Sequence, residues 1–443
     1  MVMDNRDRQI LKIALPSIVS NITVPLLGLV DVSIVGHLGA ASYIGAIAVG
    51  GLMFNIIYWL FAFLRMGTTG MTSQALGQRD LAETVRMIVR SLLVGLTVSF
   101  LLLLLQVPLR ELSLLILKPT DEVARLATLY YNICIWGAPA MLSLYSLSGW
   151  FVGMQNSKAP MAIAIVQNVI NIFTSLLLVF VFGMKVEGVA YGTLIAQYVG
   201  ALMAVALWLR YYKRLLRHKV TLRSVVRGSD GQGAMKRFFK VNSDIFFRTL
   251  CLVSVTMYFT SASAAQGDTI LAVNTLLTQL FTLFSYIMDG FAFAGEALVG
   301  KSIGAQNRQA FKSTISRLFV WGAFMCVLFV LVYAIGGKPF LGLLTNETEV
   351  IDAASPYMIY AVLIPVCGMT GFIMDGVFIG ATATRQMLLS MLCAAVTFFL
   401  VHLFCKDAYA NHALWVAFLL YLLMRGLVQL ALLSGVGRRH FGK

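Results

Sequence analysis

Apolar runs long enough to cross a bilayer recur along the whole chain, and each ends in a short polar or charged stretch. A crossing helix needs roughly 20 mostly apolar residues. Such runs begin near Ile10, Tyr43, Met87, Val123, Pro160 and Val186, then near Phe238, Thr269, Phe311, Val350, Gln386 and Ala410. The pattern predicts an all-α integral membrane protein with twelve transmembrane helices. The charged start MVMDNRDRQILK leads straight into the first run. That run is longer than a signal-peptide core and no small-x-small cleavage site follows, so it reads as a retained first helix.

The loops support the count. After the second, fourth and sixth runs come Arg79, Arg86 and Arg90, then Lys158, then a basic stretch from RYYKRLLRHK to KRFFK. In the second half the matching loops hold Lys301, Arg308 and Lys312, then Arg385, then the tail RRHFGK. The intervening loops (KPTDE, KVEG, QGD, TNETE, KD) are mixed or acidic. Lys and Arg concentrate on the cytoplasmic side of membrane proteins. The alternation therefore predicts a multi-pass protein with both termini cytoplasmic.

Composition fits lipid as the solvent. The chain is 59% hydrophobic and 12% charged, against about 25% charged in soluble domains, and its mean hydropathy is +0.84. The net charge of +15 is then a topology signal rather than a nucleic-acid footprint, since no binding motif accompanies it. Cys134, Cys251, Cys326, Cys367, Cys393 and Cys405 lie in or beside apolar runs without CxxC spacing, which predicts neither disulfides nor a metal site. No HExxH, GxSxG or P-loop occurs, so no enzyme chemistry and no direct use of ATP is expected.

The two halves repeat. GWFVGMQNSK from Gly149 aligns with GVFIGATATR from Gly376, matching Gly149, Phe151, Gly153 and Lys158 to Gly376, Phe378, Gly380 and Arg385. The same shift pairs Gly77 with Gly304, and Glu122, Val123, Ala127 and Tyr130 with Glu349, Val350, Ala354 and Tyr357. One shift recurring over several helices marks an internal duplication. Six helices per half is an even number, so the halves are parallel repeats, an architecture of alternating-access transporters. The expected organisation is an N-terminal lobe at 1–209, a basic cytoplasmic linker at 210–237 that includes GSDGQG, and a C-terminal lobe at 238–443.

Asp31 sits inside an apolar run, VPLLGLVDVSIVGHLG. A charged side chain at bilayer depth costs at least about 2.5–3.5 kcal/mol and usually marks an ion or substrate path. Burial disfavours a charged carboxylate and a nearby cation favours it, so alternation between such surroundings takes up and releases a proton. The other reading is a structural Asp that caps broken backbone or pairs with an Arg; Pro16 and Pro25 in the same helix make a kink plausible. Asn168, Asn171 and Ser175 recur at helical spacing on the fifth helix and share one face. They are candidates to orient Asp31 or hold a cation, or else they join helices.

In the second half, Asp289 and Glu296 share a face of the eighth helix, and Asp375 lies on the tenth. They are candidates for substrate or a second ion, or for structural pairing with Arg248 or Arg425. Asp244 and Arg248, at i and i+4, are expected to form a local ion pair. Tyr258 stands opposite Asp31 at the repeat shift, so the second lobe has no equivalent acid. Arg65 in the second helix is a candidate to neutralise an acid. Pro139 and Pro365 are expected to kink the fourth and tenth helices. Some of the 21 Met and 29 Phe are candidates to line an adaptable cavity.

These residues carry a resemblance. The chain resembles the multidrug and toxic compound extrusion (MATE) family over nearly its full length. DVSIVGHLG resembles that family's first-helix signature, and MDGFAFAGEALVGKSIGA, MDGVFIGAT and NHALWVAF resemble its DNA-damage-inducible protein F branch. The resemblance implies two six-helix lobes around a central cavity, and secondary antiport: cationic or amphipathic organic compounds leave in exchange for inward H+ or Na+. It places the family's first-helix Asp at Asp31. Many relatives carry a second Asp where this chain has Ser175, which puts a two-acid site in doubt. No cofactor is expected beyond the coupling ion. The expected partners are the lipid bilayer and small organic cations, and the expected state is a monomer. One alternative is a lipid or lipid-linked-sugar flippase, which would favour an Arg-rich cavity; few buried Arg are expected here. A membrane receptor or enzyme is the remaining alternative, and it lacks a soluble domain or chemical cluster.

Overall fold

The computed structural model describes residues 4–37, 41–218, 220–227, 233–344 and 347–442, and among these the chain is helical with no strand. Most of GSDGQG, the end of DVSIVGHLG and the start of TNETE lie outside the described residues. Among the described residues, ten helices have the length and hydropathy of a crossing: Asn5–Gly36, Ser42–Gly77, Leu81–Leu104, Lys158–Val181, Val186–Arg217, Ala234–Ala264, Asp268–Gly304, Arg308–Gly337, Thr348–Gly380 and Thr384–Phe441. The last is 58 residues long and is two crossings joined at Ala410, whose φ of 44° and ψ of −119° are not helical. Between Leu81–Leu104 and Lys158–Val181, two shorter helices, Asp121–Cys134 and Ala138–Gly153, stack through a 3-10 turn at Ile135–Gly137. They form the fourth span. Twelve crossings follow, each where the apolar pattern places one.

The backbone repeats as the sequence does. Non-glycine residues with positive φ include Arg79 and Gln306, and Gln155 and Thr382; Gly183 is matched by Ala410. Each pair has the spacing of Gly149 to Gly376. Arg79 N–H donates to the Leu76 carbonyl and Asp80 N–H to that of Ala75; Gln306 and Asn307 do the same to Ile303 and Ser302. Gln155 and Asn156 bond Val152 and Phe151, and Thr382 and Ala383 bond Ile379 and Phe378. These double bonds satisfy the last carbonyls of a helix that ends in a left-handed residue. They hold side-chain-bearing residues in a conformation that usually favours glycine. Asp80 and Asn307 then cap the following helices, accepting from Glu83 N–H and Ala310 N–H at 2.9 and 2.8 Å.

Packing repeats as well. A Cβ on Gly149 would meet the Arg65 carbonyl oxygen at 2.3 Å, and one on Gly376 would meet that of Ala292 at 2.3 Å. One turn on, Gly153 faces the Thr69 carbonyl at 2.9 Å and Gly380 that of Glu296 at 2.7 Å. The two glycines of each Gly-x-x-x-Gly pair let the second span touch the fourth, and the eighth touch the tenth, backbone to backbone. Close approach of this kind drives helix association in lipid, where the hydrophobic effect does not.

Two compact units result. One joins the chain through Ile18 to Ser243 and beyond; the other is Val19–Asn242. The boundary falls inside the first helix. Its opening turns pack with the second-half unit: Asp7 accepts from Trp321 Nε1 at 3.1 Å, and Gly290 faces Ala14 and Ile18. The basic connection belongs with the Val19–Asn242 unit. Arg90, fully buried on the third span, donates to the Val225 carbonyl at 2.5 Å, and Arg237 reaches Gln74 at 3.1 Å.

Of the prolines, Pro139 stands at the start of Ala138–Gly153, directly after the 3-10 turn. Pro365 lies inside the continuous helix Met358–Gly380; the 3-10 break of the tenth span is Ser355–Tyr357, at Pro356. Pro25 lies inside the continuous helix Asn5–Gly36.

Candidate functional site

Asp31 is 7% exposed, and it is the one buried acid of the Val19–Asn242 unit among the described residues. Its Oδ1 is buried without a hydrogen-bond partner among the described residues. Buried polar atoms in folded proteins are nearly always bonded to protein or water, so an orphaned carboxylate oxygen is unusual. Tyr130 on the fourth span lies within electrostatic reach of Asp31 and beside Thr193 and Cys134. Thr193, on the sixth span, accepts from Asn171 Nδ2 at 3.0 Å. Asn171 Oδ1 and Ser175 Oγ, both fully buried on the fifth span, also lack partners. Four spans thus converge on one acid and a set of neutral oxygens.

Glycines make room for this cluster. A Cβ on Gly50 would strike the Tyr130 ring at 2.4 Å, so the second span yields to the tyrosine. A Cβ on Gly192 would come within 2.2 Å of Ser175 Oγ. Just beyond Ser175 the helix widens into a π turn, Leu177–Val181, a distortion often found near functional groups.

Asn168, grouped with Asn171 and Ser175 by helical spacing, has a different partner. Its Nδ2 donates to the Thr23 carbonyl at 3.1 Å and ties the fifth span to the first. Sequence reasoning misses Tyr130 and Thr193 as members of this site. Tyr130 is visible there only as a repeat match, and Thr193 is one of many hydroxyls in apolar runs; only the meeting of the fourth, fifth and sixth spans reveals them. Arg65 lies within electrostatic reach of Tyr145.

The second-half unit holds a different arrangement. Asp375 is buried between two arginines: Arg248 Nη2 bonds Oδ2, Arg425 Nη2 lies 3.0 Å from the same oxygen, and Gln429 Nε2 donates to Oδ1 at 2.6 Å. Arg425 also stacks over the Phe372 ring at 4.9 Å. The local Asp244–Arg248 pair expected from spacing does not form. Asp244 instead accepts from Thr384 Oγ1 at 2.8 Å, because Arg248 turns inward to the tenth span. Asp289 is half-buried within the field of Arg425, whereas Glu296, on the same helix, is buried where Gly380 packs. Tyr258, opposite Asp31 at the repeat shift, is 38% exposed and packs edge-on against Phe398, Phe399 and His402.

Buried arginines are more numerous than the sequence suggests. Arg86, Arg90, Arg248 and Arg425 are all buried. Each faces a carboxylate: Arg86 and Arg90 share Glu83 at 2.6 and 2.5 Å, and the other two share Asp375. Glu83 serves Arg86 and Arg90 from the same helix, at i+3 and i+7, whereas Arg248 and Arg425 meet Asp375 across helices, out of view of a linear reading.

The MatE family model matches residues 16–177 and 245–404, one stretch in each half. The chain is 35% identical over 439 residues to the DNA damage-inducible protein F of Escherichia coli (strain K12), covering 99% of this chain and 94% of that one. A solved MATE structure in the bent conformation superposes with a TM-score of 0.83 at 18% identity, covering 99% of this chain and 97% of the other. The Vibrio cholerae MATE transporter VcmN in its bent form gives 0.83 at 17% identity, covering 98% and 97%.

Proposed function

This chain belongs to the MATE family of multidrug and toxin efflux transporters, and we propose that it is a proton-coupled antiporter whose coupling group is Asp31. The observation that carries the reading is the buried Asp31 oxygen that has no hydrogen-bond partner among the described residues. A buried charge without a partner is costly. That cost falls away when the carboxylate binds a proton or an organic cation, and the two exclude one another. Protonation from outside releases the bound cation; deprotonation inside restores affinity for the next. Coupling is this exclusion, written as a free energy between two ligands.

The neighbours have defined parts. Tyr130 carries a hydroxyl beside Thr193, and Asn171 is tethered to the same Thr193. They form a neutral polar wall that accepts either state of the acid. The Asp375 cluster is excluded from coupling because two guanidiniums and an amide already engage its carboxylate. Substrates are cationic or amphipathic organic compounds, exported by alternating access from a bacterial inner membrane.

Transport in proteoliposomes tests the proposal. A pH gradient imposed without sodium should drive uphill movement of a fluorescent organic cation by wild type and not by Asp31→Asn. Undiminished transport by Asp31→Asn would overturn the assignment. Wild-type activity that appears only with sodium would replace the proton by sodium.

A further inference from the structure

The second-half unit carries a groove far along the sequence from the acidic site. It lies between the start of the ninth span and the end of the twelfth, with a volume of about 550 Å³. Its floor is apolar: Phe311 and Ile315 are buried there, and Phe311 meets Phe441 with ring centroids 5.2 Å apart. Its rim is cationic, with Arg308, Lys312 and Arg438 all exposed. Among the described residues no acidic side chain lines it. Arg308–Gly337 has 30 residues, about 45 Å at 1.5 Å per residue, against roughly 30 Å of hydrocarbon. The opening turns of this helix therefore reach headgroup depth.

We propose that this groove is a binding site for one anionic phospholipid, its phosphate held by Arg308, Lys312 and Arg438 and the upper part of an acyl chain laid on Phe311 and Ile315. The charge alone would attract a diffuse lipid atmosphere, since each cation near an anionic surface contributes on the order of 1 kcal/mol. A cleft of this volume with an apolar floor adds a seat for a single molecule. Free phosphate would use the rim and leave the floor uncovered. The inference does not depend on which ion drives transport.

Gly437 separates a seat from an atmosphere. It lines the groove, and a Cβ there meets nothing within 4 Å. Gly437→Leu therefore fills the cleft, keeps all three cations, and raises helix propensity.

The test is native mass spectrometry of the full-length protein. Dioleoylphosphatidylglycerol and dioleoylphosphatidylcholine would be titrated, with inorganic phosphate as a control. Wild type should retain one phosphatidylglycerol with a preference over phosphatidylcholine on the order of ten- to a hundred-fold. A variant with Arg308→Gln, Lys312→Gln and Arg438→Gln should lose the preference. Gly437→Leu should lose the retained lipid with its charge unchanged. Retention by Gly437→Leu equal to wild type, no headgroup preference in wild type, or full competition by inorganic phosphate would each overturn the proposal. Helical circular dichroism would be recorded for every variant. If the charge variant fails to fold, the Gly437→Leu comparison still decides.

Discussion

Gly50 and Gly192 bear on the acidic site without any polar side chain of their own. Each leaves a space that a neighbour's side chain fills, the Tyr130 ring in one case and Ser175 Oγ in the other. Gly50→Ala should push the Tyr130 ring away from Asp31 while leaving the acid in place. We expect gradient-driven transport to fall about tenfold, the size of effect when a buried hydrogen-bonding group worth roughly 1–1.5 kcal/mol is misplaced. Initial rates in proteoliposomes would show it, and an unchanged rate would remove Tyr130 from the mechanism. Asp375 should behave in the opposite way. Asp375→Asn leaves Arg248 and Arg425 buried without their counter-charge, and breaking a buried pair costs about 3–5 kcal/mol. Thermal unfolding in detergent should drop sharply, while the protein that remains folded keeps its dependence on the pH gradient. Loss of that dependence at unchanged stability would make Asp375 a coupling residue. At this scale the sequence is half legible. Asp31 stands out because a lone acid in an apolar run is conspicuous. The partners of Asp375 and the role of Tyr130 arise from contacts between distant spans, which no local spacing encodes.

At the scale of helices, the duplication is the strongest regularity, and it is legible in the amino-acid sequence alone. Gly149 and Gly376 stand out as a repeated motif because the backbone contact they make forbids any side chain there. Replacing either by Val should force the paired helices apart. Overpacking typically costs about 1–3 kcal/mol, and contact with a backbone carbonyl at 2.3 Å puts these sites at the upper end. Gly149→Val and Gly376→Val should lower the unfolding temperature by similar amounts, since the contacts are equivalent. Gly28, where a Cβ meets nothing within 4 Å, should accept Ala with little change. The break in the tenth span is harder to place. Pro365 attracts attention in an apolar run, yet a helix can carry a proline when neighbouring groups meet the freed carbonyl. The 3-10 turn forms instead at Pro356, where the amphipathic segment Thr348–Ala354 hands over to the apolar one.

For the whole molecule, an even number of spans in each half fixes sidedness: residues related by the repeat shift face the same compartment. Gln78 pairs with Ala305, and Lys185 with His412, and all four are exposed. With the six native cysteines replaced, a membrane-impermeant thiol reagent should label Gln78→Cys and Ala305→Cys from one side and Lys185→Cys and His412→Cys from the other. Opposite labelling within either pair would break the parallel repeat. Stoichiometry follows from the acidic site. If coupling runs through Asp31 as proposed, with Ser175 in place of a second acid, one carboxylate would exchange one proton for one monovalent cation, and no net charge would cross the membrane. A pH difference of one unit should then support about a tenfold accumulation ratio. Membrane potential should add nothing. Were two protons to move per cation, 100 mV would contribute about 2.3 kcal/mol, close to fifty-fold in that ratio. Clamping the potential with potassium and valinomycin at a fixed pH gradient separates these cases. A ratio indifferent to potential supports a single coupling carboxylate. A steep response would require a second titrating group, and half-buried Asp289 would be the first to replace.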